Sequence, residues 1–565
     1  MTINIMARKL FYRLISAYLL IQSPLLWADW LDQYPDSAQL WYQPAADKVA
    51  ARAADHEKLG RAKAKNIILF VGDGMGVSTI TAARIFAGQQ KGLQGEEYEL
   101  SFDRFPYTGL SRTYNTNMQT PDSAGTMTAL VTGVKSKAGV LSVNDKTLRQ
   151  NCASQKGNEL LSALALAEIA GKSTGIVSTA RVTHATPAAT YAHSVERNWE
   201  NDSEMPAEAS AQGCEDIASQ LIGFDLRLNQ YVSAHAQNRK IKKGTLKSID
   251  GPDVVLGGGL RNFLPGDKTV SFGDVQVKGK RKDGRNLIAE WQQKYPNGKF
   301  VSSSAGLKQA VAARPEKLFG LFSESHMAYD ARRKQMSEDS AVQAKQPSLV
   351  EMTEAAIEML AQNNKGFFLM VEAGRIDHAH HAGNAFNALS DTVALSDAVA
   401  AAVRKTSKQD TLIIVTADHS HVFTIAGYPQ RGNPILGKVI SPDDSGLPQT
   451  KFSLDANGNP YTTLGYMNGR GMAFNPGNAD ADKRYNQPIN TGRQNILSIA
   501  TEDMGYHQEA LVGMGSETHG GEDVAIYGVG PGAYLLSGSH EQNVIFHVMN
   551  YAGALVSGAE QALEK

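Results

Sequence analysis

Short apolar runs recur along this chain, and an acidic residue follows each of the strongest within three positions. The strongest are residues 67–71 (Ile-Ile-Leu-Phe-Val), 367–371 (Phe-Phe-Leu-Met-Val) and 412–415 (Leu-Ile-Ile-Val). Because these runs are apolar on both faces of a strand, they indicate parallel strands that helices cover on both sides. The pattern also predicts strands over 173–178, 254–256 and 524–527 and helices over 78–87, 122–132, 160–170, 352–361 and 388–403. We therefore expect an α/β fold, with a large, mostly parallel sheet sandwiched by helices.

The alternation of strands and helices is absent from two parts of the chain. Residues 427–513 are rich in Gly, Pro and Asn and predict an inserted subdomain outside the sheet. Residues 29–65 are rich in Ala, Asp and Lys and predict an N-terminal arm that contains a helix. The α/β domain would then comprise residues 66–426 and 514–565.

The first 28 residues have the pattern of a secretory signal peptide. Arg8, Lys9 and Arg13 precede an apolar stretch over 14–26, and a small residue, Ala28, follows it. An uncleaved anchor is the alternative, since the small residue usual two positions before Ala28 is missing. We expect an exported protein, periplasmic or secreted. No later segment reaches the roughly 18 to 20 apolar residues of a membrane span, so no stable membrane anchor is expected after signal cleavage.

Composition fits a globular protein. The chain has 565 residues, 42% of them hydrophobic and 20% charged, with a formal net charge of -1, and nothing in this balance indicates a nucleic-acid partner. Its two cysteines, Cys152 and Cys214, are predicted to pair in an oxidising compartment, with two buried free thiols as the alternative. The sequon Asn201-Asp202-Ser203 leaves glycosylation at Asn201 open.

Metal-binding side chains follow the predicted strands. Asp73, Glu372 and Asp418 lie at strand ends that meet at one edge of a parallel sheet, where ligands bind in open α/β folds. Asp377 and His381 are four residues apart, so on a helix both reach one ion, although clustered histidines on a surface turn are the alternative. Mixed histidine and carboxylate ligands, as in the segment 418–421 (Asp-His-Ser-His), suit zinc. The oxygen-only set of Asp73, Thr186 and Glu372 suits magnesium.

A candidate nucleophile lies in the segment 121–126 (Pro-Asp-Ser-Ala-Gly-Thr). Ser123 is placed at the start of a predicted helix, beside free N–H groups that favour an anion. A serine that only caps the helix is the alternative. Near a metal ion a hydroxyl loses its proton readily, so no general-base histidine is needed.

These motifs together resemble the alkaline phosphatase family, and its animal-type branch in particular. The resemblance runs from about residue 66 to residue 547. The segments that carry it, in order, are 71–76, 121–126, 183–188, 197–199, 374–381, 417–421 and 518–523.

The resemblance implies a two-zinc and one-magnesium site that hydrolyses phosphate monoesters of broad specificity at alkaline pH through a phosphoserine on Ser123. Arg197 would hold the phosphate through two N–H groups, and His421 would orient ligands rather than bind metal. The implied metal ligands are Asp377, His381 and His519 for the first zinc; Asp73, Asp418, His419 and Ser123 for the second zinc; and Asp73, Thr186 and Glu372 for magnesium.

The chain departs from the enteric bacterial pattern at His184 and His378, where an aspartate and a lysine are expected. Histidines at both positions are the animal-type choice, and they predict weaker magnesium retention and zinc entry at the third site. The animal-type calcium site is not expected, since Ser323 and Gln346 replace its acidic ligands, although Glu324 could substitute. The insert over 427–513 resembles the crown of the family, which with the N-terminal arm forms a dimer interface, so a homodimer is expected.

Two other functions remain open from the sequence. A phosphodiesterase of the same superfamily would use a similar metal site, but such relatives usually have a threonine nucleophile and lack the arginine found here as Arg197. A non-catalytic periplasmic zinc-binding protein would bind metal without turnover. Replacement of Ser123 by alanine separates an enzyme from a binding protein.

Overall fold

The computed structural model describes residues 36–55, 63–235, 249–272, 275–338 and 345–564. The predicted signal peptide, residues 1–28, lies outside the described residues, as does part of the predicted arm. Within the arm, residues Asp36–Asp55 form a helix. Among the described helices, none combines the length and the apolar character that a bilayer span needs.

A ten-stranded sheet forms the centre of the molecule, in the order β19-β2-β18-β10-β1-β9-β3-β4-β8-β7. From β10 to β7 all neighbours pair in parallel, which confirms the predicted α/β class. Its strands are β1 (Asn66–Gly72), β2 (Tyr107–Arg112), β3 (Ser173–Arg181), β4 (Val254–Gly258), β7 (Lys299–Val301), β8 (Leu318–Leu321), β9 (Phe367–Ala373), β10 (Thr411–Ala417), β18 (Val524–Val529) and β19 (Gly538–Glu541).

Helices cover both faces of the sheet. Alternate residues of β1 point into two separate apolar cores: Ile67 and Leu69 lie in one, and Ile68 and Phe70 in the other. This explains why the strand is apolar at every position. The helices are α1 (Asp36–Asp55), α2 (Val77–Gln89), α3 (Ser123–Thr132), α4 (Ala163–Ile169), α5 (Ala185–Ala188), α6 (Ala207–Ala211), α7 (Ile217–Ile222), α8 (Phe224–His235), α9 (Leu287–Lys294), α10 (Ser304–Ala313), α11 (Asp330–Glu338), α12 (Leu349–Leu360), α13 (Arg375–His381), α14 (Ala385–Lys405), α15 (Val544–Gly553) and α16 (Leu555–Glu564).

The prediction for residues 524–527 was wrong in strand direction. β18 pairs antiparallel with both β10 and β2. It begins five residues after His519, which belongs to the candidate site at the carboxyl edge of the sheet. A chain that enters the sheet from that edge runs back across it, so the strand is reversed although its apolar pattern resembles that of the parallel strands.

The stretch 427–513 contributes no strand to the ten-stranded sheet. In a three-stranded sheet, its strand β13 (Leu464–Gly469) pairs with β12 (Phe423–Ile425) on one side and with β16 (Ala510–Gly513) on the other, and β14 (Ala473–Phe474) pairs with β15 (Tyr506–His507). Two further pairs lie elsewhere: β5 (Thr269–Phe272) with β6 (Val275–Lys278), and β11 (Ser420–His421) with β17 (His519–Gly520). The domain boundaries themselves remain a prediction.

The two cysteines form a disulfide, as predicted. Cys152 and Cys214 are bonded, with their Cα atoms 6.0 Å apart. Both are buried, together with Val195 and Trp199, in a small apolar cluster apart from the main cores. The bond therefore fastens the segment that leads to Arg197.

Candidate active site

The carboxyl ends of the three central strands bring the predicted carboxylates together. Asp73 comes one residue after β1, Asp418 one residue after β10, and Glu372 is the second-last residue of β9. In the parallel register Val71 of β1 lies beside Glu372, and Gly72 lies beside Ala417 of β10. The three side chains are all buried at this edge.

The sequence predicted thirteen residues for this site. Twelve of them lie in three clusters of ligand atoms or beside these clusters; the exception is His378, described below. Within each cluster the ligand atoms all lie within 4.8 Å of one another. The clusters are Asp377, His381, His421 and His519; Asp73, Asp418 and His419; and Asp73, His184 and Glu372, of which the last two share Asp73.

In the first cluster, two histidines present bare nitrogens to each other. His381 Nδ1 donates to the carbonyl of Glu517 (2.6 Å) and His519 Nδ1 to the carbonyl of Pro121 (2.7 Å), because a carbonyl can only accept. In the neutral rings each Nε2 then has a lone pair, and these two atoms are 3.1 Å apart. Asp377 Oδ1 lies 3.3 Å and 3.4 Å from them. Two lone pairs and a carboxylate around one point fit a cation.

His421 belongs to the first cluster by position but differs in its bonds. Its Nε2 lies 2.8 Å from Asp377 Oδ1 and its Nδ1 lies 2.6 Å from Glu517 Oε2, so both nitrogens donate to carboxylates. Burial opposes the charge, but Glu517 and Asp377 raise the pKa of His421 to about 10. In this state the ring offers no lone pair, which fits the orienting role expected from the sequence.

The second cluster surrounds the candidate nucleophile. Ser123 Oγ lies 3.1 Å from His419 Nε2 and 3.5 Å from Asp73 Oδ1. His419 Nδ1 lies 3.2 Å from the carbonyl of Ser420, so its Nε2 faces the serine as a lone pair. Burial, together with the neighbouring carboxylates, raises the pKa of Asp73 well above its usual range. This excess of buried negative charge fits a cation at the same place.

The third cluster holds buried oxygens that lack partners. Asp73 Oδ2, Glu372 Oε1 and Thr186 Oγ1 are buried and none makes a hydrogen bond of good geometry. The other oxygen of Glu372 accepts from Ser178 Oγ. Burial raises the pKa of Glu372 to about 7. Since buried polar atoms are nearly always satisfied, the bare oxygens of Asp73 and Glu372, with Thr186 beside Glu372, fit a hard cation such as magnesium.

Arg197 is held beside the nucleophile by two side chains. Its Nη1 donates to Asp122 Oδ2 (3.0 Å) and its Nη2 donates to His184 Nε2 (3.1 Å). The second proton on each Nη is left for a ligand. Asp122 also caps α3, since its Oδ1 accepts from the N–H groups of Gly125 (3.1 Å) and Gly139 (3.0 Å). Asp122 therefore fixes both Arg197 and helix α3, which begins with Ser123.

His378 lies behind the third cluster rather than in it. Arg375 Nη1 donates to its Nδ1 (3.1 Å), and Arg375 Nη2 donates to Asp482 Oδ2 (2.7 Å) in the insert. The ring centroid of His378 is 5.4 Å from that of His184 and 4.0 Å from that of His326. Because Nε2 of His184 accepts from Arg197, the proton of its neutral ring is on Nδ1.

Sequence reasoning missed the residues that hold these groups in place. Asp122 and Glu517 carried a signal, since one precedes Ser123 and the other lies two residues before His519. Arg375 carried one as well, since it lies two residues before Asp377, whereas Asp482 and His326 carried none, because they meet the site only in the folded chain.

These features define a metal-dependent hydrolase class in which a side-chain hydroxyl lies between cation sites and an arginine, at the carboxyl edge of an α/β sheet. Comparisons with known proteins make the class specific. The family model described as alkaline phosphatase matches residues 64–229 and 225–555.

Two animal enzymes are similar over most of the chain. Alkaline phosphatase of Gadus morhua is 40% identical over 536 residues, which is 94% of this chain and 97% of that protein. The tissue-nonspecific alkaline phosphatase of Homo sapiens is 41% identical over 520 residues, which is 91% of this chain and 88% of that protein.

Solved structures support the fold. Thermus thermophilus alkaline phosphatase superposes with a TM-score of 0.55 at 23% identity, covering 89% of this chain and 96% of the other. The cold-active alkaline phosphatase of a psychrophilic Shewanella superposes with a TM-score of 0.53 at 22% identity, covering 87% of this chain and 99% of the other. The chain belongs to the alkaline phosphatase family. The activity of that family is the metal-dependent hydrolysis of phosphate monoesters.

Proposed function

We propose that the protein hydrolyses phosphate monoesters of broad specificity through a covalent phosphoserine on Ser123, with an alkaline pH optimum. The observation that carries this proposal is the position of Ser123 Oγ, 3.1 Å from His419 Nε2 and 3.5 Å from Asp73 Oδ1, at the first turn of α3. The helix is capped by Asp122 and not by Ser123, so capping does not account for a serine buried beside a histidine lone pair and a carboxylate.

The proposed resident metals are two Zn²⁺ and one Mg²⁺ per chain. When bound, they supply Lewis-acid stabilisation of the oxygens around phosphorus and lower the pKa of a coordinated hydroxyl or water. Mixed nitrogen and oxygen donors fit zinc in the first two clusters, and the bare oxygens of the third fit magnesium. The residues that would hold them are Asp377, His381 and His519; Asp73, Asp418, His419 and Ser123; and Asp73, Thr186 and Glu372.

The chain's own groups have separate tasks in the reaction. The second proton on each Nη of Arg197 lies on the free side of a guanidinium fork, which matches two oxygens of a phosphoryl group. Ser123 Oγ attacks phosphorus and loses its proton, and the alcohol leaves with one proton. Water then attacks the phosphoserine and releases inorganic phosphate with the serine restored. Loss of the hydroxyl proton is easier at high pH, so turnover rises with pH.

The third site is proposed to retain magnesium weakly and to admit zinc. His184 and His378 are both neutral in the structure, since burial and nearby arginines lower the pKa of each well below its usual range. Two neutral rings add no negative charge to the oxygen cluster. After prolonged chelation, reconstitution with zinc alone should restore the same activity as zinc with magnesium; a strict magnesium requirement would contradict zinc entry.

No calcium is expected at the position of the animal-type site. Ser323 Oγ donates to the carbonyl of Ser325 (2.7 Å), and Gln346 Oε1 accepts from the N–H of Ala328 (2.9 Å). Both side chains are engaged within the protein. Metal analysis of the purified enzyme after growth with calcium tests this expectation.

Homodimer formation and export are the remaining proposals. The insert exposes several large apolar side chains, among them Leu454, Leu497 and Leu511, which are 57%, 59% and 70% exposed. Such a surface favours association with a second copy. The disulfide Cys152–Cys214 supports a periplasmic or secreted location. A sedimentation mass of one chain would contradict the dimer, and recovery of the activity in the cytoplasm alone would contradict export.

The function is tested by hydrolysis of a chromogenic phosphate monoester between pH 7 and 11, beside the matching diester. The proposal expects monoester turnover that rises with pH and is lost on chelation. Ser123→Ala should lower kcat by at least about 10³-fold with zinc content retained, and Ser445→Ala, an exposed serine in the insert, is the control. Diester preference would favour the phosphodiesterase alternative, and metal binding without turnover in the unmodified protein would favour a zinc-binding protein.

A further inference from the structure

A cavity of about 630 Å³ lies apart from the active site. Four stretches of the chain supply most of its lining: helix α8, residues 155–165, residues 189–193 and residues 213–220. None of its lining residues belongs to the three ligand clusters or to the arginine and serine described above. The function proposed so far makes no use of this space.

Arg227 supplies a cation to this cavity and is poorly paired. Its Nη2 donates to His193 Nδ1 (3.2 Å), but its Nη1 is buried without a hydrogen bond and lies 3.8 Å from Glu215 Oε2. His193 donates from Nε2 to the carbonyl of Leu160 (2.9 Å), so the ring is a neutral acceptor. Burial lowers the pKa of Arg227 from its usual value. A guanidinium with so few acceptors binds an added anion favourably.

The rest of the lining divides into an apolar wall and a basic group. Leu161, Phe224 and Leu228 line the cavity and are 4%, 5% and 6% exposed. Lys156 also lines it, and its ammonium has no ion pair or hydrogen bond within the part of the chain that the structure describes. A ligand with a polar head and an apolar tail would contact a matching surface with each part.

We propose that this cavity binds a small organic monoanion, a carboxylate with an apolar chain, whose head pairs with Arg227 and whose chain packs against Leu161, Phe224 and Leu228. Glu159 and Glu215 also line the cavity and would repel a second negative charge. A dianionic phosphate ester is therefore disfavoured, so this is not a second site for substrate. The proposal does not depend on the catalytic role of Ser123.

The test is calorimetric titration of the metal-loaded protein with octanoate, in the presence of saturating inorganic phosphate that occupies the active site. Octanamide, which has the same chain without the charge, is the matched ligand control. We expect one octanoate per chain, bound about 10- to 100-fold more tightly than octanamide, as a charged hydrogen bond implies. Equal affinity of the two ligands, or no saturable binding of octanoate, would overturn the proposal.

Variants locate the site. R227Q should lose the preference for octanoate while its hydrolytic activity is kept, and R332Q, an arginine on helix α11 outside the cavity, should bind octanoate as the unmodified protein does. If R227Q binds octanoate as tightly as the unmodified protein does, the ligand lies elsewhere and the assignment is refuted. The same holds if rising phosphate concentrations displace octanoate. If R227Q does not fold, the comparison of octanoate with octanamide on the unmodified protein still decides.

Discussion

Replacement of Glu517 by glutamine should weaken metal binding at the first cluster. Glu517 is buried, and its side chain accepts from His421 Nδ1 (2.6 Å) and from the N–H of Val422 (2.9 Å). Its backbone carbonyl accepts from His381 Nδ1 and is untouched by the change. Glu517→Gln therefore removes one negative charge from beside His421 and leaves the ligand histidines in place.

The size of the effect follows from the contacts of His421. This ring bridges Glu517 and Asp377, and without the first carboxylate it loses much of its positive charge, so its bond to Asp377 weakens. A hydrogen bond to a charged group contributes about 1.5–3 kcal/mol, and changes to the partners of metal ligands typically cost about 10- to 100-fold in metal affinity. Because the bonds of His381 and His519 to backbone carbonyls remain, we expect the lower end, about tenfold.

The assay is zinc retention during dialysis against graded chelator, with hydrolysis measured in parallel. Glu517→Gln should lose zinc and activity at about tenfold lower chelator concentration, and added zinc should restore turnover. Glu502→Gln, an exposed acid in the preceding segment, should behave as the unmodified protein does. The same retention curve for Glu517→Gln and the unmodified protein would show that His421 does not orient the first cluster.

Three further outcomes are expected. Asp122→Asn keeps an acceptor for the helix cap but loses the ion pair with Arg197, so KM and the Ki of inorganic phosphate should rise about tenfold while kcat changes less; unchanged phosphate inhibition would argue against this anchor. Burial lowers the pKa of His547 from 6.5 to about 3, so protons bind the unfolded chain first as pH falls below 6.5. Between pH 6.5 and about pH 3, titration of His547 therefore lowers the free energy of unfolding by about 1.4 kcal/mol per pH unit. Chemical denaturation of His547→Gln against the unmodified protein should show the difference narrowing toward acid pH, whereas a constant difference would contradict it. Replacing Cys152 and Cys214 by serine opens a link across a sequence separation of 62 and should lower the free energy of unfolding by about 4 kcal/mol; a loss below about 1 kcal/mol would mean that the link adds little.

Much of the candidate metal site was predictable because each candidate ligand follows a local signal. Asp73 and Asp418 follow strands that are apolar on both faces, and parallel strands end at a common edge. Asp377 and His381 are one helical turn apart, and the structure places their ligand atoms 3.3 Å from each other. Such signals lie within a few residues of the side chain concerned.

The supporting groups were not predictable in this way. Asp482, in the insert, reaches Arg375 across 107 residues, and Arg197 meets Asp122 across 75. The antiparallel direction of β18 follows from the placement of His519 at the sheet edge, which the apolar pattern of residues 524–527 does not encode. The cavity beside Arg227 likewise forms only where four separate stretches of the chain pack.

By itself the sequence determined the α/β class, the strands of the sheet centre, the family and the ligand types, because burial on both faces and metal chemistry each require particular residues at short spacing. Only the tertiary structure decided which carboxylates face the histidines, which nitrogens carry protons, and which side chains hold Arg197 and His421. Those properties depend on contacts between segments far apart in the chain, where the free energy of desolvation and the hydrogen-bond geometry are set by packing.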